Sequence, residues 1–114
     1  MAERASPTVV RGADTAWQST KVPGVSVRPL RRDAETGEST ALVRFEPGAR
    51  FPAHNHPAGE EVFVLKGDVL IGPDQLRAGD YLYTPPEGRH AASSRDGCVF
   101  LVTLPKPVEI LRDA

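Results

Sequence analysis

The chain has 114 residues, of which 39% are hydrophobic and 25% charged, with 10 glycines, 11 prolines and a single cysteine. That length suits one compact domain and leaves no room for two, and a domain of this size buries an adequate core without a disulfide or zinc staple. A formal net charge of -1 offers no basic face to nucleic acid or anionic membrane, Cys98 alone excludes an internal disulfide framework, and the longest apolar runs, residues 62–65 and 98–102, fall far short of the roughly 20 residues that span a bilayer.

In chain order, residues 1–16 are polar and weakly patterned. They carry Glu3, Arg4 and Arg11 with no apolar stretch of the kind a secretory signal needs, so a cytoplasmic protein is expected. Trp17 is the first strong apolar anchor; residues 1–22 read as an arm and 23–114 as a single domain. Glycine and proline then fall every few residues, and the uninterrupted periodic stretch of about 10–12 residues that a helix needs is missing. Between the breakers lie short segments rich in Val, Phe, Leu and Tyr, at residues 25–30, 40–46, 60–66, 69–71, 81–84, 98–104 and 108–111. In the second of them Ala41, Val43 and Phe45 share one face while Arg44 and Glu46 take the other. Short strands punctuated by turns predict an all-β sandwich or barrel.

Residues 62–65 and 98–102 are apolar on both faces of a strand. Each outer face therefore calls for a cover: the arm around Trp17, a second sheet or another subunit. A central strand sandwiched within the monomer answers the pattern equally well.

The histidines are His54, His56 and His90. His54 and His56 stand two apart, so on a strand both imidazoles point to one face. Pro57, Ala58 and Gly59 then force a turn and Glu60 opens the next strand, while His90 arrives from a second turn at residues 85–90. Glu60 and Glu61 face opposite ways within one strand, so only one of them reaches a site shared with the histidines. Imidazole and carboxylate suit divalent Fe, Mn, Zn, Ni or Cu, and such a set leaves coordination positions free for water, substrate or dioxygen. Each member also has a blander role open to it, as a satisfied core histidine or a solvated glutamate. Arg89, beside His90, either steers an anionic substrate or is an exposed turn arginine. No Ser-His-Asp arrangement, phosphate loop or nucleotide fingerprint competes.

The run Gly48-x5-His54-x-His56-x3-Glu60-x6-Gly67 matches the first motif of the cupin superfamily at every position. The second motif reads Gly-x5-Pro-x-Gly-x2-His-x3-Asn; here Gly79, Pro85 and His90 fit, the glycine comes one place late at Gly88, and Ser94 stands where Asn is expected. The resemblance covers about residues 23–105 and implies a minimal cupin, a jelly-roll β-barrel of two antiparallel sheets. Within the superfamily the chain is most similar to the cupin domain of ChrR-type anti-sigma factors and to the acetylacetone-dioxygenase group. The former implies a zinc site on His54, His56, Glu60 and His90; the latter implies iron held by the histidines alone, with Glu60 outside the coordination sphere. ChrR-type proteins also carry an N-terminal helical zinc domain that grips the sigma factor, and residues 1–22 hold no cysteine or histidine for one, so direct sigma-factor inhibition is not expected.

These readings predict one divalent transition metal (Fe, Zn, Mn or Ni) and a dioxygenase or other oxidoreductase acting on a small chelating substrate of the diketone or enol type. The alternatives are a zinc-binding sensing module and a cupin that keeps metal only for stability. Gly48 and Gly67 are expected in tight inter-strand turns, Val62 and Val64 in the dry wall of the site, Phe45 and Phe51 in ordinary core packing ahead of a place in that wall, and Cys98 as a small buried apolar residue. The expected partners are a small molecule and a second copy of the chain, in a homodimer.

Overall fold

A computed structural model describes residues 5–111. Its strands are β1 (Gln18–Ser19), β2 (Val25–Arg32), β3 (Ser39–Phe45), β4 (Arg50–His56), β5 (Glu60–Ile71), β6 (Asp74–Arg77), β7 (Tyr81–Thr84), β8 (Gly88–Ser93), β9 (Cys98–Leu104) and β10 (Glu109–Ile110). Among the described residues the one helical turn is a 3-10 turn at Gly12–Asp14. No helix there is long and apolar enough to cross a membrane.

All pairings are antiparallel, and β5 belongs to two sheets. Its first half lies between β9 and β7, in a sheet that continues through β3, β2 and β1. Its second half pairs with β6 and β8, in a sheet that continues through β4 to β10. The strand turns from one sheet into the other where its register with β9 shifts, between Val64 and Lys66, and where Gly67 takes a left-handed φ of 78°. Residues 60–66 and 69–71 are thus one strand, and Gly67 bends it instead of ending it in a turn. The result is the expected all-β barrel of two antiparallel sheets.

The inward faces make the core. Val62, Val64 and Val69 are fully buried, Ile71 and Val102 nearly so, and the Phe45 and Phe100 rings pack with centroids 5.8 Å apart. Each such valine contributes about 1.5–3 kcal/mol relative to an exposed one. Cys98 is buried here with its thiol pKa raised, chiefly by burial. The outward faces of β5 and β7 are open: Phe63 is 42%, Leu65 49%, Tyr81 54% and Tyr83 58% exposed. Trp17 covers one corner of the sheet, its ring 4.4 Å from the Arg44 guanidinium. Among the described residues the outer face of 62–65 is thus left open, whereas Val99 and Leu101 on the outer face of 98–102 are half-buried.

Candidate metal centre

Three strands bring four donors together. In the β4–β8 ladder His54 lies directly across from His90, and His56 lies across from Gly88. His90 sits on β8, not in the turn that precedes it. Glu60 opens β5 immediately after the turn at 57–59, where Gly59 has a φ of 84° and a Cβ would stand 2.6 Å from the Thr84 carbonyl oxygen. Only glycine fits there, and that turn sets where Glu60 enters the barrel. The ligating atoms of His54, His56, Glu60 and His90 all lie within 4.8 Å of one another. His54, His56 and Glu60 are buried and His90 nearly so.

The donor atoms are arranged as a cation would require. His54 Nδ1 lies 2.8 Å from the Pro52 carbonyl oxygen, so it donates its proton there and leaves Nε2 a lone pair. The Phe51 ring holds the same imidazole edge-on at 5.0 Å. His56 Nε2 and His90 Nε2 face each other at 2.9 Å. Glu60 Oε2 is 2.7 Å from the first and 3.4 Å from the second. Glu60 Oε2 and His56 Nδ1 are buried without a hydrogen-bond partner of good geometry. In the tautomers that leave both Nε2 atoms free, their lone pairs crowd with that of Glu60 Oε2 in a dry place, and a positive charge among them would relieve the repulsion. These residues can therefore hold a metal ion.

Burial pushes the Glu60 carboxyl upward, but the nearby His56 and His90 more than offset it and hold its pKa at about 2. Burial lowers the His54 pKa, and the neighbouring imidazoles add to that against the Pro52 hydrogen bond. A neutral His54 and an ionised Glu60 are the states a metal ligand needs. Because the Glu60 pKa falls from 4.5 to about 2 on folding, its contribution is complete above the higher value and is lost as the pH drops through the lower. Urea unfolding of the metal-free protein should lose about 3 kcal/mol across that window, and Glu60→Gln should remove this part of the pH dependence. Parallel curves for the two proteins would contradict it.

Glu61 points the other way and accepts a hydrogen bond from the Tyr81 hydroxyl at 2.6 Å. Glu60→Ala should therefore deplete bound metal on elemental analysis while Glu61→Ala leaves it stoichiometric; the reverse outcome would invert the strand parity.

A cavity of about 200 Å³ opens on the four donors. Ala41, Val43 and Phe45 on β3, Phe100 and Val102 on β9, and Phe51 form much of its wall. Apart from the donors, its polar lining residues are Thr20 and Ser39 alone. Val62 and Val64 pack in the core without lining it. A larger, more open groove of about 650 Å³ runs past Arg50, Leu70 and Gly72 and contains none of the four donors.

The family model of the ChrR cupin-like domain matches residues 5–107. The chain belongs to this family. The ChrR cupin-like domain described here is similar in fold to an acetylacetone dioxygenase from Acinetobacter johnsonii, with a TM-score of 0.84 and 19% identity over 99% of this chain and 83% of that one. It is also similar to a crystal structure of Rhodobacter sphaeroides SigE in complex with the anti-sigma ChrR, with a TM-score of 0.70 and 26% identity over 82% of this chain and 50% of that one. Among curated proteins it is 34% identical over 88 residues to the DNA damage-repair/toleration protein DRT102 of Arabidopsis thaliana, covering 72% of this chain and 27% of that protein. It is 32% identical over 76 residues to the Arabidopsis germin-like protein subfamily 1 member 5, covering 66% of this chain and 33% of that protein. The chain thus spans about a third or less of the curated relatives it matches.

Two residues around the ChrR cupin-like site escape sequence reasoning. Asn55, between the two β4 histidines, is buried with its side chain on the far side of the strand. Its amide donates to Glu87 at 3.2 Å and to Glu109 at 2.8 Å, tying β4 to the turn before β8 and to β10. Glu87 occupies the place the second cupin motif reserves for glycine, and it has a left-handed φ of 69°. The displaced glycine, Gly88, is needed for space, because a Cβ there would run into the Thr84 side chain. A polar residue between two ligand candidates, and a motif glycine off by one, were the available signals. Ser94, in place of the motif's Asn, is buried and donates from Oγ to the Asp68 carbonyl at 2.7 Å. Arg89 is exposed and pairs across from Asn55, on the opposite face of its strand from His90.

Proposed function

We propose that this protein is a metal-dependent dioxygenase or related oxidoreductase whose His54, His56, Glu60 and His90 bind one divalent transition metal, and whose substrate is a small chelating molecule of the diketone or enol type. The observation that carries this reading is the cavity, an apolar chamber of about 200 Å³ with no lysine or arginine in its wall and the four donors as its polar end. An uncharged molecule with two neighbouring oxygens suits it, its oxygens toward the donors and its hydrocarbon body against Val43, Phe45 and Phe100. A redox-active metal, when bound, supplies Lewis acidity and electron relay. The chain's part is to hold the His54 ring through the Pro52 carbonyl and Phe51, to keep Glu60 ionised, and to exclude water with the apolar wall. The fold of the Acinetobacter acetylacetone dioxygenase supports the reading. The unit we envisage is the cupin domain at residues 23–114 with 1–22 as its arm, acting in the cytoplasm as a homodimer.

The test is metal content by elemental mass spectrometry on protein prepared without chelator, followed by oxygen consumption with a diketone panel. Turnover that depends on iron, manganese or nickel supports the proposal, and equal turnover by the zinc form overturns its oxidative part. Membership of the ChrR cupin-like family favours a second reading, a zinc-loaded sensing module. Stoichiometric zinc, no oxygen uptake, and metal loss on mild peroxide treatment with a change of oligomeric state would select it. Zinc that only raises the melting temperature would leave a metal-stabilised cupin without catalysis.

A further inference from the structure

The open outer face of the β3–β9–β5–β7 sheet has a pattern of its own. Its middle row runs Leu42, Leu101, Phe63, Tyr81 across the four strands. The row on one side of it holds Glu61 and Tyr83. The row on the other side holds Arg44, Val99 and Lys66, with Leu65 beside Lys66 at the bulge. With Thr40 and Thr103 completing the first of these rows, the face carries the single acid Glu61 on one side of an apolar centre and the bases Arg44 and Lys66 on the other. Large exposed aromatics gathered in this way mark an interaction surface.

We propose that this face is the contact between two copies of the chain, packed sheet on sheet about a two-fold axis that lies along the Leu42–Leu101–Phe63–Tyr81 row. The proposal rests on the homodimer reading above and gives it a surface. A rotation about that axis lays each apolar row on its own counterpart and carries the Glu61 row of one copy over the Lys66 row of the other. Glu61 then meets the partner's Lys66, and the pair forms twice by symmetry, as an isologous contact requires. Self-complementarity of this kind selects a second copy over an unrelated protein, because Glu61 and Lys66 are answered twice over without any further partner. Of the covers a two-faced apolar strand can have, the other sheet lies on the inner side, and among the described residues before β2 it is Trp17 that stacks on this face, over Arg44. Phe63, Leu65, Tyr81 and Tyr83 stay bare. The Tyr81 hydroxyl is already bonded to Glu61, so its ring is held in place before association and gives up little rotamer freedom there.

Sedimentation of the full-length, metal-loaded protein decides the matter. The wild type should sediment as a dimer. Phe63→Glu should raise the dimer dissociation constant about thirtyfold or more, the size of effect expected at a central aromatic anchor, with far-UV circular dichroism and metal content unchanged. Glu61→Lys should weaken the dimer, and adding Lys66→Glu to it should restore the dimer. A monomeric wild type would overturn both the homodimer reading and this face. A dimer indifferent to Phe63→Glu would overturn the face alone. Should Phe63→Glu fail to fold, the charge pair decides: no loss in the single reversal, or no recovery in the double, refutes the proposal.

Discussion

His56→Ala should leave the protein without stoichiometric metal and remove any rise in melting temperature on metal addition. His56 is the most enclosed of the four donors, at 1% exposure, and its Nε2 lies within 3 Å of both His90 Nε2 and Glu60 Oε2. Removing it takes away one donor and the atom against which two others are set. Loss of groups that merely orient ligands already costs about 10–100-fold in metal affinity, so loss of a central donor should exceed that. A metal present at about a thousand times its dissociation constant stabilises the fold by about 4 kcal/mol. For a domain of this length, that corresponds to a shift of roughly 15–30 °C. The comparison to make is the melt with metal against the melt with chelator. A difference of that order in the wild type and none in His56→Ala is the expected pair of results. A variant that keeps both its metal and its shift would remove His56 from the coordination sphere.

Gly67→Ala should be the most damaging single-methyl change in the chain. Gly67 has a φ of 78°, and a Cβ there would overlap the Gly97 carbonyl oxygen and stand 2.8 Å from the Cys98 Cα. Both neighbours are backbone of the connection into β9, and the Asp68 amide bonds to that same Gly97 carbonyl at 3.1 Å, so neither atom can move without unseating the ladder. The left-handed conformation costs an L-residue about 1–2 kcal/mol, and with the steric clash the total should reach about 3–5 kcal/mol, against a stability of roughly 5–15 kcal/mol for a native domain. Gly48→Ala is the control. Its φ is 83°, yet nothing lies within 4 Å of the added methyl, so it should lose only the conformational part. Equal losses at the two positions, measured by urea unfolding, would show that crowding at Gly67 is not the cause.

The strands most legible in the sequence are those whose inward side is hydrocarbon. β7 and β9 have the bounds expected of them, and Ala41, Val43 and Phe45 share the inner side of β3 as their alternation requires. β4 and β8 give no such signal, because their inward positions near the site are His54, His56 and His90 instead of apolar residues. A strand whose buried side is chemical has no hydrophobic period. β6 is missed for another reason: Leu76 is its single buried residue, between charged and polar neighbours. The histidines and Glu60 were legible through their spacing. Asn55 and the Pro52 carbonyl were not, since which way an amide or a carbonyl turns depends on the pairing of β4 with β8 and β10.

Glu87 gives the molecule a position that a stability screen would pass over. Glycine there should relieve roughly 1 kcal/mol of left-handed strain and forfeit a hydrogen bond to Asn55 worth about the same. The two nearly cancel, so Glu87→Gly should melt close to the wild type and score as neutral. The freed turn leads directly into the strand bearing His90, and its other anchor is the bond from the Glu87 amide to the His56 carbonyl at 2.7 Å. The variant should therefore declare itself in the visible spectrum of a cobalt-substituted protein while its melting curve stays silent. Ranking variants of this domain by thermal midpoint alone would discard the substitutions that report on its chemistry.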